Sequence, residues 1–431
     1  MNHINLLRRP LFVASLGALL AAILLSGCSL FHSGFFHSAS TKKKEDKAAD
    51  KPAVLVPLTN HIQVERVWET KISGEAPKLR LGLQVAADGD RIFVASHKGT
   101  VEALDLKTGK RLWRRDVKAP LSAGPSAASG IIMLGSSKGE IIALSQNDGS
   151  PIWRVRINSE ILSAPAISPD LIVVRSVDGK LHGLSIKDGL EVWMVDQQVP
   201  KLSLRGTSAP LLTGDLAVSG FDNGRVLAIN RHNGTTVWDA AVGQSHGSTE
   251  LARLIDVDAQ VVGEGDDLFA VAFQGRVAHL RRDTGEVLWT RDMSSYRGLT
   301  LDANSVYVSV ADGSVVRLDR QNGTEQWTQK ALVRRQITAP VIYGGYPVIA
   351  DAGGVIHWLD PTTGEFVARA LIDKKVSSKP VLSKGISVKK RISDEPIVAG
   401  GLLLVFSDAG ELSAYRAPPL GTAAPSANAP H

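Results

Sequence analysis

A glycine, a leucine five residues on, a second glycine ten on and a tryptophan fourteen on recur along this chain with fixed internal spacing. The copies begin at Gly99, Leu104, Gly109 and Trp113, followed by Gly139, Leu144, Gly149 and Trp153, and by Gly179, Leu184, Gly189 and Trp193. Gly224, Ile229, Gly234 and Trp238 continue the series, then Gly275, Leu280, Gly285 and Trp289, then Gly313, Leu318, Gly323 and Trp327. A seventh copy, Gly354, Leu359 and Gly364, has Ala368 at the tryptophan position, and an eighth, Gly410 with Tyr415, stops. A repeat of about 45 residues carrying several short strands marks a propeller, each unit being one blade. The 431 residues could hold two or three ordinary domains, but the repeats assign the body to one ring.

The first glycine of each unit falls in Lys-Gly, Asp-Gly or Asn-Gly pairs between β-branched runs, where a two-residue hairpin turn needs positive φ. The second, in Thr-Gly, Asp-Gly or Asn-Gly, turns the next hairpin. The tryptophan then falls on the outermost strand, where its large ring fills the widening wedge between blades. These tryptophans are core and not a cofactor box. The eighth unit lacks an outer strand, while Ile62 to Trp68 is a strand with a tryptophan and no blade before it. Pairing the two ends closes the ring and leaves no sheet edge open between first and last units. The expected fold is all-β: an eight-bladed β-propeller of four-stranded antiparallel blades, closed by the N-terminal strand.

Ahead of the ring, Arg8 and Arg9 precede an apolar run from Leu11 to Leu25, too short to span a bilayer, and then Leu25-Ser26-Gly27-Cys28. Small residues before a cysteine resemble the bacterial lipobox, in which that cysteine is acylated. Cys28, the chain's one cysteine, is the expected lipidation site. Ser29 stands where aspartate would mark inner-membrane retention, so the resemblance implies the outer membrane. The residues flanking Arg8-Arg9 do not fit twin-arginine export. The expected organisation is thus a signal peptide over 1–27, a lipidated cysteine and flexible tether over 28–58, the propeller over 59–417 and a disordered tail, rich in alanine and proline, over 418–431. The formal charge of +6 falls to 6 − 2 = +4 without Arg8 and Arg9, too thin for a nucleic-acid footprint.

The run from Ala103 to Trp113, Ala-Leu-Asp-x-x-Thr-Gly-x-x-x-Trp, resembles the pyrroloquinoline-quinone-type propeller repeat. That repeat is shared by quinoprotein alcohol and glucose dehydrogenases and by the BamB family, lipoproteins of the outer-membrane β-barrel assembly (BAM) machine. Resemblance to the BamB family covers lipobox, tether, eight blades and ring closure. Leu202-Ser203-Leu204-Arg205-Gly206, and Ser248-Thr249-Glu250 leading to Arg253 through Asp258, look like the family's signature loops. The resemblance implies a non-enzymatic scaffold, lipid-anchored at the outer membrane and facing the periplasm. It names as partners the POTRA domains of BamA, other members of the BAM complex and unfolded outer-membrane proteins.

The residues disfavour the enzymatic alternative, a periplasmic quinoprotein-like dehydrogenase; a propeller scaffold unrelated to barrel assembly is the other. The single cysteine excludes the adjacent cysteines found over many quinones, and no haem motif, nucleophile elbow or phosphate loop occurs. No catalytic residue, metal site or cofactor is expected. Asp256, Asp258, Glu264, Asp266 and Asp267 lack the loop glycine and regular ligand spacing of a calcium hand. His97, His182, His279 and His357 recur at no metal spacing and fit solvated or hydrogen-bonded strand positions. Asn233-Gly234-Thr235 and Asn322-Gly323-Thr324 match glycosylation sequons but are turn chemistry here.

Connections from tryptophan to next glycine take 24 to 27 residues in four of the eight intervals, but 31 after Trp193, 37 after Trp238 and 42 after Ala368. Such connections emerge on one propeller face. The first two extended ones are neighbours, so Leu202, Leu204 and Arg205 are expected beside Asp256 and Asp258 as one partner-binding patch. Arg205 can equally tie down its own loop by pairing with either aspartate. The third insertion, with Lys389, Lys390 and Arg391, fits a solvated loop.

Overall fold

The computed structural model describes residues 51–72, 82–198, 200, 206–243, 255–372 and 391–422. Every regular element among them is a strand. Eight antiparallel sheets follow one another as blades 1 to 7 (86–116, 121–156, 166–196, 211–241, 262–292, 298–329 and 341–371) and blade 8 (397–416). Blade 8 takes its outer strand, Glu65–Lys71, from the other end of the chain, paired antiparallel with Glu411–Arg416. Blade 2 carries one unexpected addition, the two-residue strand Gly82–Leu83, parallel to its innermost strand.

The apolar core is a ring as well. Eight clusters of buried side chains each draw on two neighbouring blades, so each of the eight junctions has its own core. The middle strands supply it because they are covered on both faces, as the fully buried run Leu171–Arg175 of blade 3 shows. In every outer strand the register slips by one residue just before the tryptophan position, a bulge that twists the edge away from further pairing.

The tryptophans do more than fill the wedge. Trp68, Trp113, Trp153, Trp193, Trp238, Trp289 and Trp327 each donate Nε1–H, at 2.7 to 3.0 Å, to a carbonyl in the last hairpin of the following blade. Each ring also lies on the second motif glycine of that hairpin. A Cβ on Gly149 would stand 2.7 Å from Cζ3 of Trp113, and one on Gly109 would stand 2.5 Å from Cε3 of Trp68. With φ of +69° and +66°, these two glycines serve both the turn and the close approach. Trp68 thereby clasps blade 8 to blade 1.

The junction from blade 7 to blade 8 has no such clasp, for a reason built into the topology. Blade 8 takes its fourth strand from the N-terminus, so it has no last hairpin to receive a ring. Ala368 stands where the ring would start, and the cross-strand pair is inverted: Trp358 on the third strand faces Ala368, whereas in blade 1 Ala103 faces Trp113. Trp358 is fully buried and meets Tyr415 of blade 8 edge-on at 6.4 Å. Tyr415 donates its hydroxyl to the Leu371 carbonyl at 3.1 Å, and Tyr343 donates to that of Gly401 at 3.0 Å.

The chain ahead of the closing strand lies on blade 7. Leu55 is buried in the core shared by blades 6 and 7, and Asn60 exchanges two hydrogen bonds with the Arg369 backbone, at 2.9 and 3.1 Å.

Candidate functional site

Gln84, Leu162 to Ala164, Gly206, Thr207, Ala209, Asp258 to Gln260, Tyr296, Arg297, Ala339 and Ser393 to Glu395 all sit on the run-ins to innermost strands. Together they line one cavity of about 310 Å³. Seven of the eight blades contribute, so the cavity lies on the ring axis, a funnel at the end where outer strands cross to inner ones. Buried serines tie its wall from blade to blade. Ser122 donates to the Ile161 carbonyl at 2.6 Å, Ser208 to that of Ala259 at 3.0 Å, and Ser309 to that of Thr338 at 2.7 Å. Each hydroxyl satisfies a carbonyl that a loop leaves without a ladder partner.

A buried charge cluster supports one sector of this wall. Arg175 is wholly buried, its Nη2 3.2 Å from Asp222 Oδ1 and its guanidinium 4.3 Å above the Phe221 ring. Burial lowers its pKa, a shift that Asp222, Asp256, Asp178 and Asp258 oppose only in part. Asp256 is fully buried in an isolated bridge with Phe273, whose N–H donates to the Asp256 carbonyl at 2.7 Å. Asp258 is half-buried at the funnel wall. Loss of hydration, reinforced by Asp222 and opposed by Arg175, pushes its pKa up to about 7. Its Oδ1 finds no hydrogen-bond partner among the described residues.

Leu202, Leu204, Arg205 and Cys28 lie outside the described residues. The first described residue after the Leu202 segment, Gly206, lies against the second segment: a Cβ there would stand 2.9 Å from Oδ2 of Asp258. Asp258 therefore shares the funnel wall with the end of the neighbouring loop, while Asp256 lies buried beneath it.

Arg175 and Asp222 are not among the candidate residues that motif spacing and loop length single out. The signal was available: Arg175 is four residues before Gly179, where the sister strands carry Ala95, Gly135, Gly220, Val271, Ser309, Ala350 and Phe406. A cation in an apolar run needs buried carboxylates nearby. His182, His279 and His357 are buried strand residues bonded to Glu191, Asp267 and Asp351. Among the described residues, no three His, Cys, Asp or Glu side chains are grouped to hold a metal ion.

Comparison with known proteins separates scaffold from dehydrogenase. Residues 97–329 match the family model described as outer membrane protein assembly factor BamB. The outer membrane protein assembly factor BamB of Pseudomonas aeruginosa is 43% identical over 92% of this chain and 97% of its own length. The chain belongs to the BamB family. The crystal structure of BamB from Moraxella catarrhalis superposes with a TM-score of 0.73 at 27% identity, over 82% of this chain and all of that one. Quinohemoprotein alcohol dehydrogenase from Comamonas testosteroni reaches a TM-score of 0.64 at 11% identity, over 84% of this chain and 78% of that one, a likeness of fold alone. With BamB-family relatives named as assembly factors, the chain is a component of outer-membrane protein assembly and not an enzyme.

Proposed function

We propose that this chain is a scaffold lipoprotein of the BAM complex, anchored in the outer membrane through acylated Cys28 and facing the periplasm. It holds the POTRA domains of BamA on the funnel face and so assists insertion of β-barrel proteins. Leu202, Leu204 and Arg205 supply apolar anchors and a guanidinium, and Asp258, braced by Asp256 and the Arg175–Asp222 pair beneath, supplies the adjoining carboxylate.

The observation that carries this reading is the approach of Gly206 to Asp258, which brings the ends of two enlarged loops from consecutive blades to one funnel wall. Apolar anchors beside an arginine suit a protein interface.

Co-purification of BamA from detergent-solubilised envelope tests the reading. Arg205→Glu and Leu204→Asp should each weaken recovery strongly, since reversing or burying a charge at an interface centre costs about 2 kcal/mol or more. Lys390→Glu, in the third insertion, should leave it intact. Wild-type recovery by folded Arg205→Glu and Leu204→Asp would overturn the assignment.

A further inference from the structure

The N-terminal anchor and the ring closure lie on the same stretch of chain. A pull on residue 28 is transmitted through the tether toward Glu65–Lys71, the strand that completes blade 8. That strand is paired on one side only, so a force applied at its end would peel it bond by bond and open the ring.

Residues 53–61 stand between the pull and that strand, and they are held at several points. The Ala53 N–H donates to the Val333 carbonyl at 3.0 Å, and the Ala53 carbonyl accepts from Arg335 Nη1 at 3.0 Å. Leu55 is 3% exposed between exposed Val54 and Val56, so one side chain of the three is inserted as a plug. The Val56 carbonyl accepts from Arg369 Nη1, Asn60 pairs with the Arg369 backbone, and the His61 N–H donates to the Val367 carbonyl at 2.8 Å.

The two arginines that grip the segment are fixed from behind by one buried network. Arg335 Nε donates to Asp351, which also accepts from His357 Nε2 at 3.0 Å, and Arg369 Nε donates to His357 Nδ1 at 3.2 Å. With Nδ1 accepting, His357 is a neutral ring that carries its proton on Nε2. Asp351 and His357 are fully buried. Such a network is expensive to bury, and what it does here is aim two guanidiniums at two carbonyls of the segment.

We infer that residues 53–61, docked on blades 6 and 7, take the load of the anchor before it reaches the closing strand. This inference rests on anchoring at the N-terminus; its test supplies the pull directly and does not depend on lipid.

The test is single-molecule pulling on the full chain produced without lipidation, held by the Cys28 thiol and its C-terminus. Wild type should release residues 53–64, about 40 Å of chain, as a first event before the ring opens. Leu55→Asp should abolish that event and open the ring at least about tenfold faster at the same force, because forced opening follows the unfolding rate. Arg369→Ala, a milder change, should fall between. Moving the handle to the closing strand with Cys28→Ser and Glu65→Cys bypasses the segment and should open the ring as fast as Leu55→Asp does. A wild type with no separate first event, or equal opening rates for all four chains, overturns the inference.

Discussion

Seven junctions of this ring are built alike and the eighth is not. Where a blade ends in a hairpin, the tryptophan of the preceding blade lies on that hairpin's glycine and donates its indole N–H to a turn carbonyl. Where blade 8 borrows its outer strand, the hairpin is absent, and the tryptophan has moved one strand inward to Trp358. The clasp is thus a property of two blades together, and its loss at Ala368 follows from ring closure. The substitute junction is less well satisfied: Trp358 Nε1 is buried without a hydrogen-bond partner among the described residues.

The largest expected effect comes from the odd junction. Trp358→Ala should destabilise by about 3 to 5 kcal/mol in equilibrium denaturation, because a fully buried ring leaves a cavity beside Tyr415. Adding Ala368→Trp should recover little of this, since blade 8 offers no hairpin glycine to receive the ring. Full recovery by the double variant would show that the position, and not the receiving hairpin, sets the clasp.

A clasped junction should break from the other side. Gly149→Ala puts a methyl group 2.7 Å from the Trp113 ring on a backbone with φ of +69°, so it should destabilise by about 1 to 3 kcal/mol. Gly130, also at positive φ (+77°) but with nothing within 4 Å of an added Cβ, is the control. It should lose only the part due to backbone strain. Equal losses at both sites would remove ring contact from the account.

An effect of another kind concerns the funnel, which belongs to neither junction type. The Asp258 carboxyl titrates near 7 in the folded chain and near 4 when unfolded, so between those values the folded state binds the extra proton. Its contribution to stability is therefore complete below about pH 4 and lost as the pH rises through about 7. Asp258→Asn should flatten that fall in a melting-temperature series from pH 5 to pH 8. An unchanged slope would mean that Asp258 is not the titrating group.

Most of the ring was legible because its signals are local and repeated. Gly-turn pairs and tryptophan spacing locate hairpins and outer strands, and two unfinished ends imply closure through Trp68. The inward shift to Trp358 was not legible, since it depends on a hairpin missing from the next blade and not on any residue near Ala368. The docking of residues 53–61 was hidden for a related reason. Composition placed Ala53 to Leu58 with the tether, and only the distant Arg335 and Arg369 reveal their attachment. At the site, loop lengths point to two enlarged neighbouring connections, and among the described residues Gly206 at the end of one lies against Asp258 of the other. The depth of Asp256 and the cluster around Arg175 required the strands to be assembled first.

The proposed division, with one set of residues holding the ring and another the partner, is tested most directly by affinity and stability measured on the same two variants. Titration of purified BamA POTRA domains should show Arg205→Glu binding about 30-fold or more weakly than wild type while melting as wild type does. Trp358→Ala should bind within about threefold of wild type at a temperature where it stays folded, yet melt well below it. Wild-type affinity in a folded Arg205→Glu chain, or a loss of affinity in Trp358→Ala as large as that of Arg205→Glu, would contradict it.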